Sequence, residues 1–556
     1  MKSLLRPQLA ALALVRMVGT AGGQAPPEAD LIVTGTIVTM TRAAARAEAV
    51  AVRDGRIMYV GDEAGARAHA GASTRWIDAR GVVLPGLVDA HGHLRNLGRL
   101  LHTLQLTGTR SKEAVVARVR EAQAESAPGQ WIYGRGWDQN DWEAQAFPTW
   151  QDLEGTGANP VYLRRVDGHA AWVNRAALEI AGVTRDTPDP PGGRILRDAR
   201  GEPTGVLVDK ATDLVYLRIP EPSDQELDAW MRSAVVHCNE AGLTGVHDAG
   251  TGRRVLDSLR RLARAGALTL RVYAMLDADE PDLIDAQLAA GPSVELDGYL
   301  TIRAVKAYAD GALGSRGAAL LEPYSDEPSQ AGLVITTPDS LRALSARAAA
   351  AGFQMCTHAI GDRGNRMALD AYAAVFGGPD HDGRRFRVEH CQVLAPDDIP
   401  RFAALGVIAS MQPAHATSDM YWAEARVGGE RIRGAYAWRT LLDSGAALAF
   451  GSDFPVESVS PLLGIHAAAA RQDAEGWPEG GWYPEQRLSV EEAVRAFTVG
   501  AAYAAFQEAE LGTIAVGRRA DLTVLDRDIF AAPAAEILAV RVDYTIVGGA
   551  IVYEAP

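Results

Sequence analysis

Hydrophobic and polar positions alternate in short bursts at both ends of the chain. Near the start, "DLIVTGTIVTM", "EAVAVRDGRIMYVG" and "STRWIDARGVVLPG" are β-branched runs cut by Gly and Asp turns, the pattern of antiparallel strands. "GTIAVGRRADLTVLD" and "RVDYTIVGGAIVYE" repeat it at the end. The same texture at two separated ends predicts one discontinuous β-sandwich over 28–84 and 511–556.

Between the ends the period changes. Apolar, strand-length runs recur at "VVLPGLVDAHGH", "LTGVHDAG", "TLRVYAML", "TIRAVKAYADG", "FQMCTHAIGD", "RFRVEHCQV", "GVIASMQP" and "AALAFGSDFPV". Most are separated by amphipathic stretches such as "PDSLRALSARAAAAG". Eight strands alternating with helices over 85–510 predict an α/β architecture, a (β/α)8 TIM-like barrel, in preference to an open doubly wound sheet. The interval after the first strand is too long for one helix. An inserted subdomain is therefore expected over about 97–225, carrying "QWIYGRGWDQNDW" and "PVYLRRVDGHAAWVN".

Composition narrows the function. The 556 residues are 47% hydrophobic and 22% charged, as in an ordinary globular protein. A net charge of −15 excludes a nucleic-acid or anionic-membrane partner and leaves a small molecule as the expected one. Three cysteines, Cys238, Cys356 and Cys391, are too few and too irregular for a disulfide framework or a CxxC metal site. The start, "MKSLLRPQLAALALVRMVGTAGG", places Lys2 and Arg6 before an apolar run and then small residues. It resembles a secretory signal peptide over 1–23, so export to the periplasm or medium is expected. If the leader is not a signal, the protein stays cytoplasmic. No later segment has the about 18 uncharged apolar residues of a membrane span. A homo-oligomer is compatible with this pattern.

Five of the eight predicted strands end in residue types that bind metals. "VDAHGHL" ends the first with His91 and His93, which share a face because side chains alternate along a strand. Lys306 lies on the fourth, His358 ends the fifth, His390 the sixth and Asp453 the eighth. Barrels place their active sites at these ends, so the joint pattern predicts a metal centre. Lys306 stands out, since only four of the 55 basic residues are lysine. A buried amine can become a neutral nucleophile and a guanidinium cannot. The other reading is a lysine that snorkels from a strand end or pairs with an acid.

"LPGLVDAHGHL", "KAYADGALGSR", "THAIGD", "RVEH", "GSDFPV" and "GRRADLTVLD" together resemble the amidohydrolase superfamily. Within it they are similar to the YtcJ-like and N-substituted formamide deformylase-like branch, amidohydrolase family 3, as is "RVDGHAAWVN" in the insertion. Relatives often carry Ser where "HGH" has Gly92, a position that points away from the metals. The resemblance implies that CO2 carboxylates Lys306 and that the carbamate bridges two divalent ions. His91, His93 and Asp453 would hold the more buried ion, His358 and His390 the more exposed one. Such a set fits zinc first, and also manganese, cobalt or iron. A water between two cations loses a proton readily and can attack a carbonyl. Asp453 would be the catalytic proton shuttle.

The expected reaction is hydrolysis of a C–N amide bond other than a peptide bond, in an N-acyl or N-formyl amine. Alternatives are ester, lactone or organophosphate hydrolysis at the same centre and a mononuclear deaminase, against which Lys306 argues. A silent exported binding protein would be expected to have lost a ligand. Candidate substrate contacts are His169, Trp137, Arg316, His247 and Gln412. Each has a plainer reading: His169 as a support of the insertion, Trp137 with Trp131 and Trp142 as local core, Arg316 in a loop salt bridge, and His247 orienting a ligand. Gln412 and His415 sit after the seventh strand, and Asp310 and Asp362 on loops.

Overall fold

The computed structural model describes residues 27–42, 45–380 and 382–556. The leader expected over 1–23 lies outside them. Eight parallel strands form the barrel: β1 (Leu87–Gly92), β2 (Leu243–Thr251), β3 (Arg271–Asp277), β4 (Leu300–Tyr308), β5 (Gln354–Ala359), β6 (Arg387–His390), β7 (Ile408–Met411) and β8 (Ala447–Phe450). They pair in sequence order from β1 to β8. Their outward apolar residues, such as Val246, Val272, Val305 and Val388, join Leu and Ala side chains of the surrounding helices in one large core. Burial on that scale supplies most of the folding free energy, at about 25 cal/mol per Å² of apolar surface.

The seam between β1 and β8 is closed by particular groups instead of a ladder. Asp89 accepts from Ser452 Oγ at 2.6 Å and from the backbone N–H of His91 at 2.9 Å. The Asp453 N–H donates to His91 O at 2.7 Å. These contacts set the last strand's side chains beside those of the first.

Strands from both chain ends enter one seven-stranded sheet, in which Arg75–Pro85 pairs with Leu31–Val38 on one edge and Leu522–Leu525 on the other. Both chain ends thus build one hydrogen-bonded sheet, with a bulge where Thr34 pairs with Asp78 but Thr36 with Val82. Gly81 lies in that bulge, and a Cβ there would meet the Arg527 backbone nitrogen at 2.1 Å. Val33, Ile77, Leu522 and Ile546 share its core.

The long interval after β1 forms a six-stranded mixed sheet from Leu104–Gln105 to Pro203–Asp209. It has a separate apolar core on each face. Among the described residues no helix is long and apolar enough to cross a membrane.

Candidate metal centre

The strand ends bring His91, His93, Lys306, His358, His390 and Asp453 together at one end of the barrel. The donor atoms of His91, His93 and Asp453 all lie within 4.8 Å of one another, as do those of His390, His415 and Asp453. The His358 ring centroid is 4.5 Å from that of His390, which is 4.8 Å from that of His91. Lys306, 1% exposed, donates from Nζ to His91 Nε2 at 3.2 Å. His390 and Asp453 take left-handed backbone conformations, φ 77° and 61°. Non-glycine residues visit that region at a cost, commonly at functional sites. Here the chain leaves the strand while the side chain still points into the mouth.

Hydrogen bonds behind the imidazoles decide what each ring offers. His91 Nδ1 donates to Glu389 Oε2 at 2.6 Å, His93 Nδ1 to Ala249 O at 2.8 Å and His390 Nδ1 to Gln412 Oε1 at 2.8 Å. An acceptor behind Nδ1 keeps the hydrogen there and leaves Nε2 with a bare lone pair. Burial and the neighbouring Lys306 push His91 down to about 4 and His358 to about 3. Burial holds His390 well below its ordinary value too. These rings are therefore neutral at pH 7, the form that binds metal. Burial also lowers the Lys306 amine. Burial alone would raise the Asp453 carboxyl, but the adjacent His93 ring and the other imidazoles hold it well below the carboxylate range.

The donor set fits a cation. His358 Nε2, His415 Nε2 and Asp453 Oδ1 are buried without a hydrogen-bond partner among the described residues. Each such orphan costs about 1–3 kcal/mol. Asp453 Oδ1 lies 2.9 Å from His93 Nε2 and 3.7 Å from His91 Nε2. A positive ion among them would satisfy the nitrogen lone pairs and the carboxylate at once.

Several expected substrate contacts sit elsewhere. Trp137 is fully buried in the insertion's core, donating to Leu163 O at 2.8 Å and packing on Trp142 and Trp172. His247 is buried on β2 and its Nδ1 accepts from Arg387 Nη1 at 2.8 Å, placing it among the groups that support the ligands. Gln412, also buried, is spent on orienting His390. Arg316 is held by Asp326 at 2.9 Å. His169 is exposed on the insertion and paired with Asp209 at 2.8 Å.

The supports below the centre escaped the sequence reading. Arg387 and Glu389, both fully buried, form a two-bond ion pair at 2.8 and 3.0 Å, and Glu389 in turn holds His91. Their signal was present: two charges at i and i+2 in "RVEH" point to the same side of a strand, here the barrel interior. His415, which the sequence places with Gln412 after the seventh strand as a polar candidate, stands on a short helix there, its donor atom within 4.8 Å of those of His390 and Asp453.

Comparison with known proteins agrees with this architecture. The chain is 36% identical over 529 residues to YtcJ of Bacillus subtilis (strain 168), covering 94% of this chain and 98% of that protein. It is 28% identical over 547 residues to the N-substituted formamide deformylase of Arthrobacter pascens, covering 94% and 98%. The crystal structure of an uncharacterized metal-dependent hydrolase from Pyrococcus furiosus superposes with a TM-score of 0.76 at 30% identity, covering 90% of this chain and 99% of that one. The amidohydrolase family model matches residues 75–553. With eight parallel strands, a cation-ready cluster at their ends and that match across nearly the whole sequence, the chain belongs to the amidohydrolase family of metal-dependent hydrolases.

Proposed function

We propose that the protein hydrolyses the C–N bond of an N-acyl or N-formyl amine at a binuclear centre. His91, His93 and Asp453 would hold one divalent ion, His358 and His390 a second, with Lys306 carboxylated between them and zinc the first choice of metal. The observation that carries this reading is the Lys306 amine, buried, lowered by that burial, and set 3.2 Å from a ligand nitrogen with no carboxylate bonded to it among the described residues. Only a neutral amine captures CO2. When bound, the two ions polarise the scissile carbonyl and lower the pKa of water.

The chain's own groups do the rest. Glu389, Ala249 O and Gln412 fix the imidazoles with Nε2 facing the centre. Asp453, kept ionised, takes a proton from the attacking water and returns it to the departing nitrogen as the C–N bond breaks. A carboxylic acid and an amine leave. The activity for which the Arthrobacter relative is named, deformylation of N-substituted formamides, supports this chemistry.

The test is a hydrolysis screen of metal-reconstituted protein over N-formyl amines, N-acyl amino acids, cyclic amides and lactones. Turnover of at least one acyclic amide above any lactone is expected. Turnover confined to lactones or esters would overturn the assignment.

A further inference from the structure

The opposite end of the barrel holds a group that the metal chemistry does not use. β4 carries a bulge at Arg303: Ile302 pairs with Ala274 and Ala304 with Met275, so Arg303 has no partner on β3. Bulges re-aim side chains, and this one swings the guanidinium to 3.7 Å from the Phe506 ring centroid. Arg303 Nε is buried without a hydrogen-bond partner, and Arg303 makes no ion pair among the described residues. Phe506 is itself held at φ 60°, a left-handed conformation that bulky residues rarely adopt.

The pair faces a cavity of about 240 Å³ near the N-terminal ends of β3 and β4. Its other charges are balanced. Arg271 is paired with Asp521 at 2.6 Å, Arg519 with Asp297 at 3.3 Å, and Glu510 lies between Arg519 and Arg56 at 3.2 and 2.9 Å. Arg385, which also lies over Phe506, is paired with Glu508. Arg303 remains as the one planar cation of the lining without an ion pair among the described residues, its charge felt by Glu508, which Arg385 already holds; Gln507, Val294 and Leu511 line the same cavity. Lys306 is three residues further along β4, about 10 Å away, and Tyr273, Met275, Ala304 and Cys356 fill the barrel between the two ends.

We propose that this floor cavity is a second binding site, for a small organic carboxylate, anchored by Arg303. A guanidinium fork takes a carboxylate through two parallel hydrogen bonds, and the apolar wall covers the acid's body. One cation matches one negative charge.

Benzoate is the probe, with inorganic phosphate as the second arm. Calorimetry on metal-loaded wild type should show a benzoate site that weakens about tenfold or more in Arg303→Met, the scale of losing about 1.4 kcal/mol. Binding retained in that variant reports the metal centre. Wild-type crystals soaked in 4-bromobenzoate should show bromine in the floor cavity, a test that holds even if the variant misfolds. Identical benzoate binding by wild type and variant, bromine confined to the metal centre, or Arg303-dependent binding of phosphate without benzoate would each overturn the proposal.

Discussion

An arginine at position 306 would keep a cation of similar length, which is all that a snorkelling or ion-paired side chain requires. A guanidinium stays protonated and cannot capture CO2. Lys306→Arg is therefore expected to lose both the second metal and turnover, measured by elemental analysis alongside the amide assay. Lys306→Ala should regain part of its activity when formate or acetate is added to fill the bridge. Full activity in the arginine variant would end the carbamate proposal. Asp453→Asn removes the proton carrier while the backbone link from its N–H to His91 O remains. Its rate should fall by roughly two or more decades while circular dichroism shows the fold retained. Near-normal turnover would take Asp453 out of the chemistry.

At the scale of elements, strand and insertion make different demands. Strand ends carry the candidate ligands, and the short links across the β1–β8 seam fix their spacing. The insertion carries its own cores, so damage inside it should stay local. Trp137→Ala opens a cavity beside Trp142 and Trp172, and such a truncation costs about 3–5 kcal/mol. Bound metal, measured in the folded variant below the insertion's unfolding transition, should be unchanged. Loss of metal in that folded variant would tie the insertion to the centre directly.

Across the whole molecule, sheet and barrel are welded by buried polar contacts. Arg271 on β3 holds Asp521 beside the terminal sheet, and Thr523 and Thr545 donate to Gly242 O and Asn239 O at 2.8 and 2.7 Å. A centre that draws ligands from strands distant in sequence couples to the same cooperative unit. Metal-replete protein should hold about two divalent ions per chain, since the six candidate ligand positions would exceed one tetrahedral site. Chelation should lower the thermal midpoint and metal add-back restore it; ligand at a thousandfold excess over its Kd contributes about 4 kcal/mol. A stable count near one would favour the mononuclear alternative. We also propose that the leader directs export: N-terminal sequencing of protein secreted by its host should begin after about residue 23. An intact Met1 in the cytoplasmic fraction would reverse that.

Sequence by itself determined the class of fold, because strand and helix periods are local and eight alternations leave few ways to bury their apolar faces. It also picked out His91, His93, Lys306, His358, His390 and Asp453, since a barrel sends every strand's C-terminal residue to one end. Tertiary structure alone decided the rest. Trp137 and Gln412 have the composition of pocket residues, and only packing across the insertion and the β6–β7 gap showed them committed elsewhere. Glu389 reaches His91 over 298 positions of chain, and the bulge that frees Arg303 is a mismatch between two strands. The charges at 387 and 389 mark an inward face locally, but the contact of Glu389 with His91 and the bulge have no local signature, because each is a relation between segments and not a property of one.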